Sequence, residues 1–230
     1  MKQFLICFFT SQVFGILGVI FVLAVVLLRR NQAVIPLSRE FLWHPVLMAL
    51  SFGYLYGTSI TIFRVLRLIK KVHLIRLHAT LHVCLIAFAI GGFVTSFDLH
   101  YATGLPHLRN MHGLMGMITM IFFCMQWVLS FVLFIYPKGP GLLRAMLTPH
   151  HVIVGLVLYL VSICTIITGI NQYNQNVAGP LSTEGVLLNF SGFFFIINVL
   201  LVAYMVLKED FRRQPLDEDQ DEESEGAVYG

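Results

Sequence analysis

Six apolar blocks set what this chain can fold into. They cover about residues 4–28, 41–63, 77–99, 111–136, 150–170 and 185–207, and each is near the roughly 20 residues a helix needs to cross a hydrocarbon core about 30 Å thick. In that medium every backbone polar group must be paired within its own segment, so the blocks read as six transmembrane helices and the fold class as an all-α membrane protein. Composition agrees. Hydrophobic residues make up 57% and charged residues 12% of 230, and mean hydropathy is +0.81, far from an ordinary soluble domain. The chain's surroundings are therefore membrane lipid, and nothing points to nucleic acid. Arg29-Arg30, not a small-residue cleavage site, follows the first block, so it is kept as a span and not read as a removable signal peptide.

With six spans the two termini share a side, and that side holds eleven lysines and arginines against four on the other. The positive-inside rule then puts both termini in the cytoplasm. Nine of the twelve acidic residues fall between Glu209 and Glu225, a charged, aromatic-poor run that cannot bury enough surface to fold. The domain reading is accordingly a six-span unit over residues 1–207, with its functional core at about 41–170, and an acidic tail over 208–230 expected to be disordered. Cys7, Cys84, Cys124 and Cys164 all fall within spans, where free cysteine behaves as a small apolar residue.

Histidine is the residue that stands out inside the spans. The first span has neither histidine nor interior charge and reads as a peripheral helix facing lipid. The second opens with Trp43-His44-Pro45 at the non-cytoplasmic side. The third carries His78 and His82 near its cytoplasmic start and His100 at its far end. The fourth begins with His112 after Arg109-Asn110-Met111, and the fifth begins with Pro149-His150-His151 on the cytoplasmic side. Spans 2 and 4 thus bring one histidine each to one surface, and spans 3 and 5 bring at least one each to the other. Facing helices build cofactor sites from inward side chains, and two opposed imidazoles are suited to be axial ligands of a b-type haem. Two such pairs make a di-haem path across the bilayer. His73 and His107 read as solvated interfacial residues. Spacing alone does not choose between His78 and His82, or between His150 and His151. A haem-free transporter using the histidines for zinc or protons is the competing class, but no Asp or Glu lies in the interior of a span, and such proteins ordinarily need one.

These residues resemble the cytochrome b561 family over about residues 41–190. The resemblance is carried by Trp43-His44-Pro45-Val46-Leu47-Met48, His78-x-x-Leu81-His82, Phe97-Asp98-x-His100, His112, Gln126-Trp127, Leu143-Arg144-Ala145 with Pro149-x-His151, and Glu184-Gly185-Val186-Leu187. It implies six spans, with spans 2–5 as a four-helix bundle around two haem b groups. Cytoplasmic ascorbate is then the donor, and monodehydroascorbate or a ferric chelate the acceptor on the other side, so the chain is expected to be an ascorbate-dependent oxidoreductase, including ferrireductase activity. The implied haem ligands are His44 with His112 and His78 with His151, while His82 is a neighbouring non-ligand and His100 and Asn110 belong to the acceptor side.

Ascorbate is a monoanion, and Arg64, Arg67, Lys70, Lys71 and Arg76, with Arg144 from the facing loop, offer it a basic surface. Two departures from the family pattern stand out. Ile75 occupies the position that commonly holds lysine, with Arg76 next to it, and Arg109-Asn110-Met111-His112-Gly113-Leu114 replaces the usual Tyr-Ser-Leu-His-Ser-Trp. The second change makes the acceptor face more basic through His107 and Arg109. A di-haem cytochrome fed by a quinol or a flavoprotein is the alternative to an ascorbate-driven one. The sequence leaves open vesicle, endolysosomal or plasma membrane, and a monomer or a homodimer.

Overall fold

The computed structural model describes residues 2–30, 41–104 and 106–214. Six helices in it are long and apolar enough to cross a membrane. We number them α1 (Lys2–Arg30), α2 (Trp43–Val65), α3 (Lys71–Thr103), α4 (Met111–Phe134), α5 (Gly141–Tyr173) and α6 (Thr183–Leu207). The chain is an integral, multi-pass membrane protein. Two of the helices run well past the apolar blocks, because helix continues into polar sequence at the bilayer surface. α3 starts at Lys71, so half of the expected basic loop is helical, and α5 starts at Gly141. Pro149 therefore lies inside α5 and does not open it.

Local chemistry fixes the ends. Asn110 caps α4 by accepting the Gly113 N–H at 2.8 Å, and Ser182 caps α6 by accepting the Gly185 N–H at 3.0 Å. Gly104 ends α3 at φ +65°, a left-handed conformation that costs glycine nothing. Within α2, residues Ala49–Leu55 form a π turn. Such a turn leaves a carbonyl unpaired, and here the Tyr159 hydroxyl lies 3.2 Å from the Gly53 carbonyl and 2.8 Å from Asn198 Oδ1.

Packing joins the helices in pairs. α2 pairs with α3 and α4 with α5, and the two pairs face each other. α1 is not simply a lipid-facing helix, because it lies along α6: Ser191 donates to the Gly18 carbonyl at 2.9 Å and Asn198 to the Ser11 carbonyl at 2.8 Å. Phe4, Ser11 and Val22 are buried there, while Ile6, Phe9 and Val13 on the opposite face are exposed. A helix apolar all round carries no sequence mark of which face is covered.

The root of the acidic tail is also ordered. Phe211 is buried, with its ring 5.2 Å from that of Phe4, in a 3-10 turn over Glu209–Phe211. The expected disorder of the tail otherwise falls on residues 215–230, outside the described residues, as does Arg39.

Candidate functional site

At the end of the bundle where α2 and α4 begin, His44 on α2 and His112 on α4 face each other with ring centroids 6.0 Å apart and planes at 90°. Each is anchored by the other member of its own helix pair. His44 donates its Nδ1–H to the Gly92 carbonyl of α3 at 2.9 Å, and His112 donates to the Thr165 carbonyl of α5 at 2.9 Å. The His112 ring sits over Gly169, where a Cβ would meet Cε1 at 2.7 Å and Nδ1 at 2.9 Å. Only glycine leaves that space.

The opposite end, where α3 and α5 begin, repeats the scheme. His78 on α3 and His151 on α5 are 6.0 Å apart at 76°. His78 donates to the Ser59 carbonyl of α2 at 3.0 Å, and His151 Nδ1 is bonded to Ser130 Oγ of α4 at 2.9 Å. The neighbours between which spacing did not choose are placed differently. His150 is exposed and turned onto its own Met146 carbonyl at 3.1 Å. His82 is 7% exposed, lies one turn deeper than His78 with its ring 4.4 Å away, and has an unpaired buried Nδ1.

Between the two pairs the bundle is filled by aromatic edges. Phe52 and Phe123 are 5.4 Å apart, Phe123 and Tyr56 5.0 Å, and Tyr56 and His82 5.4 Å. Above them a cavity of about 260 Å³ holds His44 and His112, with His100, His107 and Asn110 at its rim. Val22, Val25 and Val26 of α1 also line it. The Asn110 side chain, expected at the acceptor side, is thus at the cavity but committed to capping α4.

The basic residues at the end of the bundle that holds His78 and His151 divide. Arg64 donates to the carbonyls of Val206 and Lys208, and Arg67 to those of Arg64 and Phe211 while lying 4.9 Å over the Phe4 ring. Both therefore hold the C-terminal end of α6 and the segment after it. Lys71 and Arg144 each lie seven residues before a paired histidine, His78 and His151, hence on the same helix face two turns nearer the helix start. The Arg144 Nε is buried and unpaired. Arg76, two residues before His78, projects from the other side of α3 and is exposed.

This donor set fits one kind of group. Two imidazoles trans on one metal, at about 2.0 Å per bond, have ring centres about 6 Å apart, which is the spacing of both pairs. All four rings use Nδ1 in a bond to protein, which fixes the ring and leaves Nε2 for a metal. Among the described residues no three His, Cys, Asp or Glu side chains converge, so a tetrahedral zinc site would lack ligands. A planar macrocycle that brings its own four nitrogens needs only the two that each pair offers. The anchors Gly92, Thr165 and Ser59, being backbone acceptors, have no sequence signal.

A family model described as eukaryotic cytochrome b561 matches residues 43–175. The mouse (Mus musculus) lysosomal membrane ascorbate-dependent ferrireductase CYB561A3 is 33% identical over 186 residues, 75% of this chain and 75% of that protein. The Xenopus laevis plasma membrane ascorbate-dependent reductase CYBRD1 is 31% identical over 220 residues, 92% of this chain and 78% of that protein. The mouse transmembrane ascorbate-dependent reductase CYB561 is 28% identical over 187 residues, 80% of this chain and 75% of that protein.

Proposed function

The chain belongs to the haem-binding eukaryotic cytochrome b561 family, and on that premise we propose that it is an ascorbate-dependent transmembrane oxidoreductase with two b haems. One haem is held by His44 and His112, the other by His78 and His151. Bound there, the haems supply the one-electron carriers that cross the bilayer. The observation that carries the reading is the duplicated pair, two imidazoles 6.0 Å apart at each end with every Nδ1 tied down.

The protein's own share is binding, orientation and insulation. Gly92 and Thr165 hold the non-cytoplasmic rings, Ser59 and Ser130 the cytoplasmic ones, and the Phe52–Phe123–Tyr56 packing excludes water between them. Lys71 and Arg144 draw the ascorbate anion to the cytoplasmic pair, with the unpaired Arg144 Nε–H as one donor to it. Arg67 steadies that surface through the C-terminal segment, and Arg76 adds exposed positive charge beside it. On the opposite side His100 and Asn110 stand at the rim through which an acceptor, monodehydroascorbate or a ferric chelate, approaches. His82 fills the space behind His78 without ligating.

The test uses protein in vesicles with the cytoplasmic face inward. Trapped ascorbate reduces external ferricyanide in the wild type and fails to do so in His78→Ala. Reduction driven by a quinol or a flavoprotein but not by ascorbate would replace the donor and keep the architecture.

A further inference from the structure

The chain does not leave the bundle where α6 ends. It turns back along the loop between α2 and α3 and is held there by basic side chains. Arg64 donates to the Lys208 carbonyl at 3.0 Å, Arg67 to the Phe211 carbonyl at 3.0 Å and Arg213 to the Ile69 carbonyl at 2.9 Å. The buried Phe211 ring, edge-on to Phe4 and Tyr204, pins the same turn. Arg213 is thereby seated on the residue that precedes Lys70 and Lys71, where α3 starts. The sequence that follows is of opposite charge. Asp217 to Glu225 holds seven acids, and no lysine or arginine comes after Arg213.

We propose that this acidic stretch, residues 217–225, docks on the basic face of α3 and α5 at the end that holds His78 and His151, and competes there with the anionic electron donor. The proposal rests on the reductase reading above, which makes that face the donor side. Lys71 and Arg76 are exposed on α3. Arg144 stands on α5 at the level of Lys71, since each lies seven residues before one of two rings that are 6.0 Å apart. The buried Arg144 Nε has no hydrogen-bond partner among the described residues, which leaves a donor for an oxygen anion. A carboxylate serves it as well as ascorbate does. The chain also reaches: Asp217 follows Arg213 by four residues, which cover about 13 Å when extended, and each further residue adds about 3.3 Å. A tether this short keeps the acids at about millimolar concentration around the face. Exposed ion pairs are individually weak and screened by salt, so the contact is a set of shallow pairs, made often and broken often. Against it the donor brings one charge, and the tail brings seven and does not diffuse away.

The first measurement needs no electron transfer. The purified, haem-loaded protein is treated with a carbodiimide, which joins a carboxylate to a lysine amine in contact with it, and digested with trypsin, which frees residues 214–230 as one peptide. That peptide is expected joined to Lys71 through an acid between Asp221 and Glu225, and the product falls about fivefold or more in 1 M NaCl, where charges are screened beyond about 3 Å. In turnover, vesicles carry the cytoplasmic face outward and ferricyanide inside. Truncation after Gln214 lowers the KM for ascorbate about threefold with kcat unchanged. The full-length chain with the acids of 217–225 changed to Asn and Gln does the same. Added salt lowers the wild-type KM, because it releases the tail, and raises that of both variants, because it weakens the donor's own attraction. No cross-link, one that salt leaves unchanged, or a KM unchanged or raised in both variants overturns the docking. Cross-links that form in phosphatidylcholine vesicles and vanish when phosphatidylserine is added overturn it too, and give the face to anionic lipid. A wild-type protein that ascorbate fails to reduce would remove the reductase reading, while the cross-links still decide whether the tail docks.

Discussion

Each paired histidine is only as well placed as the group that takes its Nδ1, and three of the four anchors are backbone carbonyls that no side-chain substitution removes. The exception is Ser130, 2.9 Å from His151. Ser130→Ala is predicted to loosen that ring alone and to cost about tenfold or more in haem affinity at the proposed His78–His151 site. The proposed two haems predict two low-spin ferric signals in the paramagnetic resonance spectrum, of which only that of the His78–His151 site should move, and an unchanged spectrum would deny Ser130 its role. Gly169 gives the complementary test. A Cβ there meets the His112 ring at 2.7 Å, so Gly169→Ala should displace that ring and leave about one haem per chain, read by haem absorbance against protein. The four paired histidines were legible in the sequence because an imidazole inside a membrane span has few reasons to be there. The choice of His151 over its neighbour was not, since positions about 100° apart on a helix look alike until the facing helix is known. His107, read as a solvated interfacial residue, is exposed, and its stacking on Phe97 at 4.7 Å carries no signal in the sequence.

At the scale of elements, each pair of helices is cross-braced through its own paired histidines. α2 holds the α3 histidine and α3 holds the α2 histidine, and α4 and α5 do the same. The two pairs are joined to each other midway along the bundle, where Phe52 and Tyr56 of α2 pack on Phe123 of α4 and Tyr56 donates to the Gly155 carbonyl of α5. The start of α4 depends on Asn110, whose cap is worth about 1 kcal/mol. Asn110→Ala is predicted to lower thermal stability by that amount with both haems retained, and Asn110→Asp to restore it. A variant that kept its stability but lost acceptor affinity would make Asn110 a substrate contact instead. Span number was readable from hydropathy, but helix length was not: α3 and α5 run on past their apolar blocks, and the π turn in α2 answers to Tyr159 on another helix. The same holds for Arg64 and Arg67. They looked like part of a donor surface, and they cap α6 and its continuation because the chain returns there after the last span.

For the whole molecule the account requires a fixed orientation and two separate centres. The charge asymmetry predicts that a single cysteine at Pro106→Cys reacts with a membrane-impermeant maleimide from the outside of intact cells and that one at Gly139→Cys does not, in a background with the four native cysteines replaced. The reverse labelling would invert donor and acceptor faces. The duplicated histidine pair bears most directly on the central claim, and a pyridine haemochrome assay on the purified protein measures it. The account predicts two b haems per chain, about one in each of His44→Ala, His112→Ala, His78→Ala and His151→Ala, and two in His82→Ala and His150→Ala. A wild-type protein with no haem, or one whose haem content fell with His150 and not with His151, would contradict it.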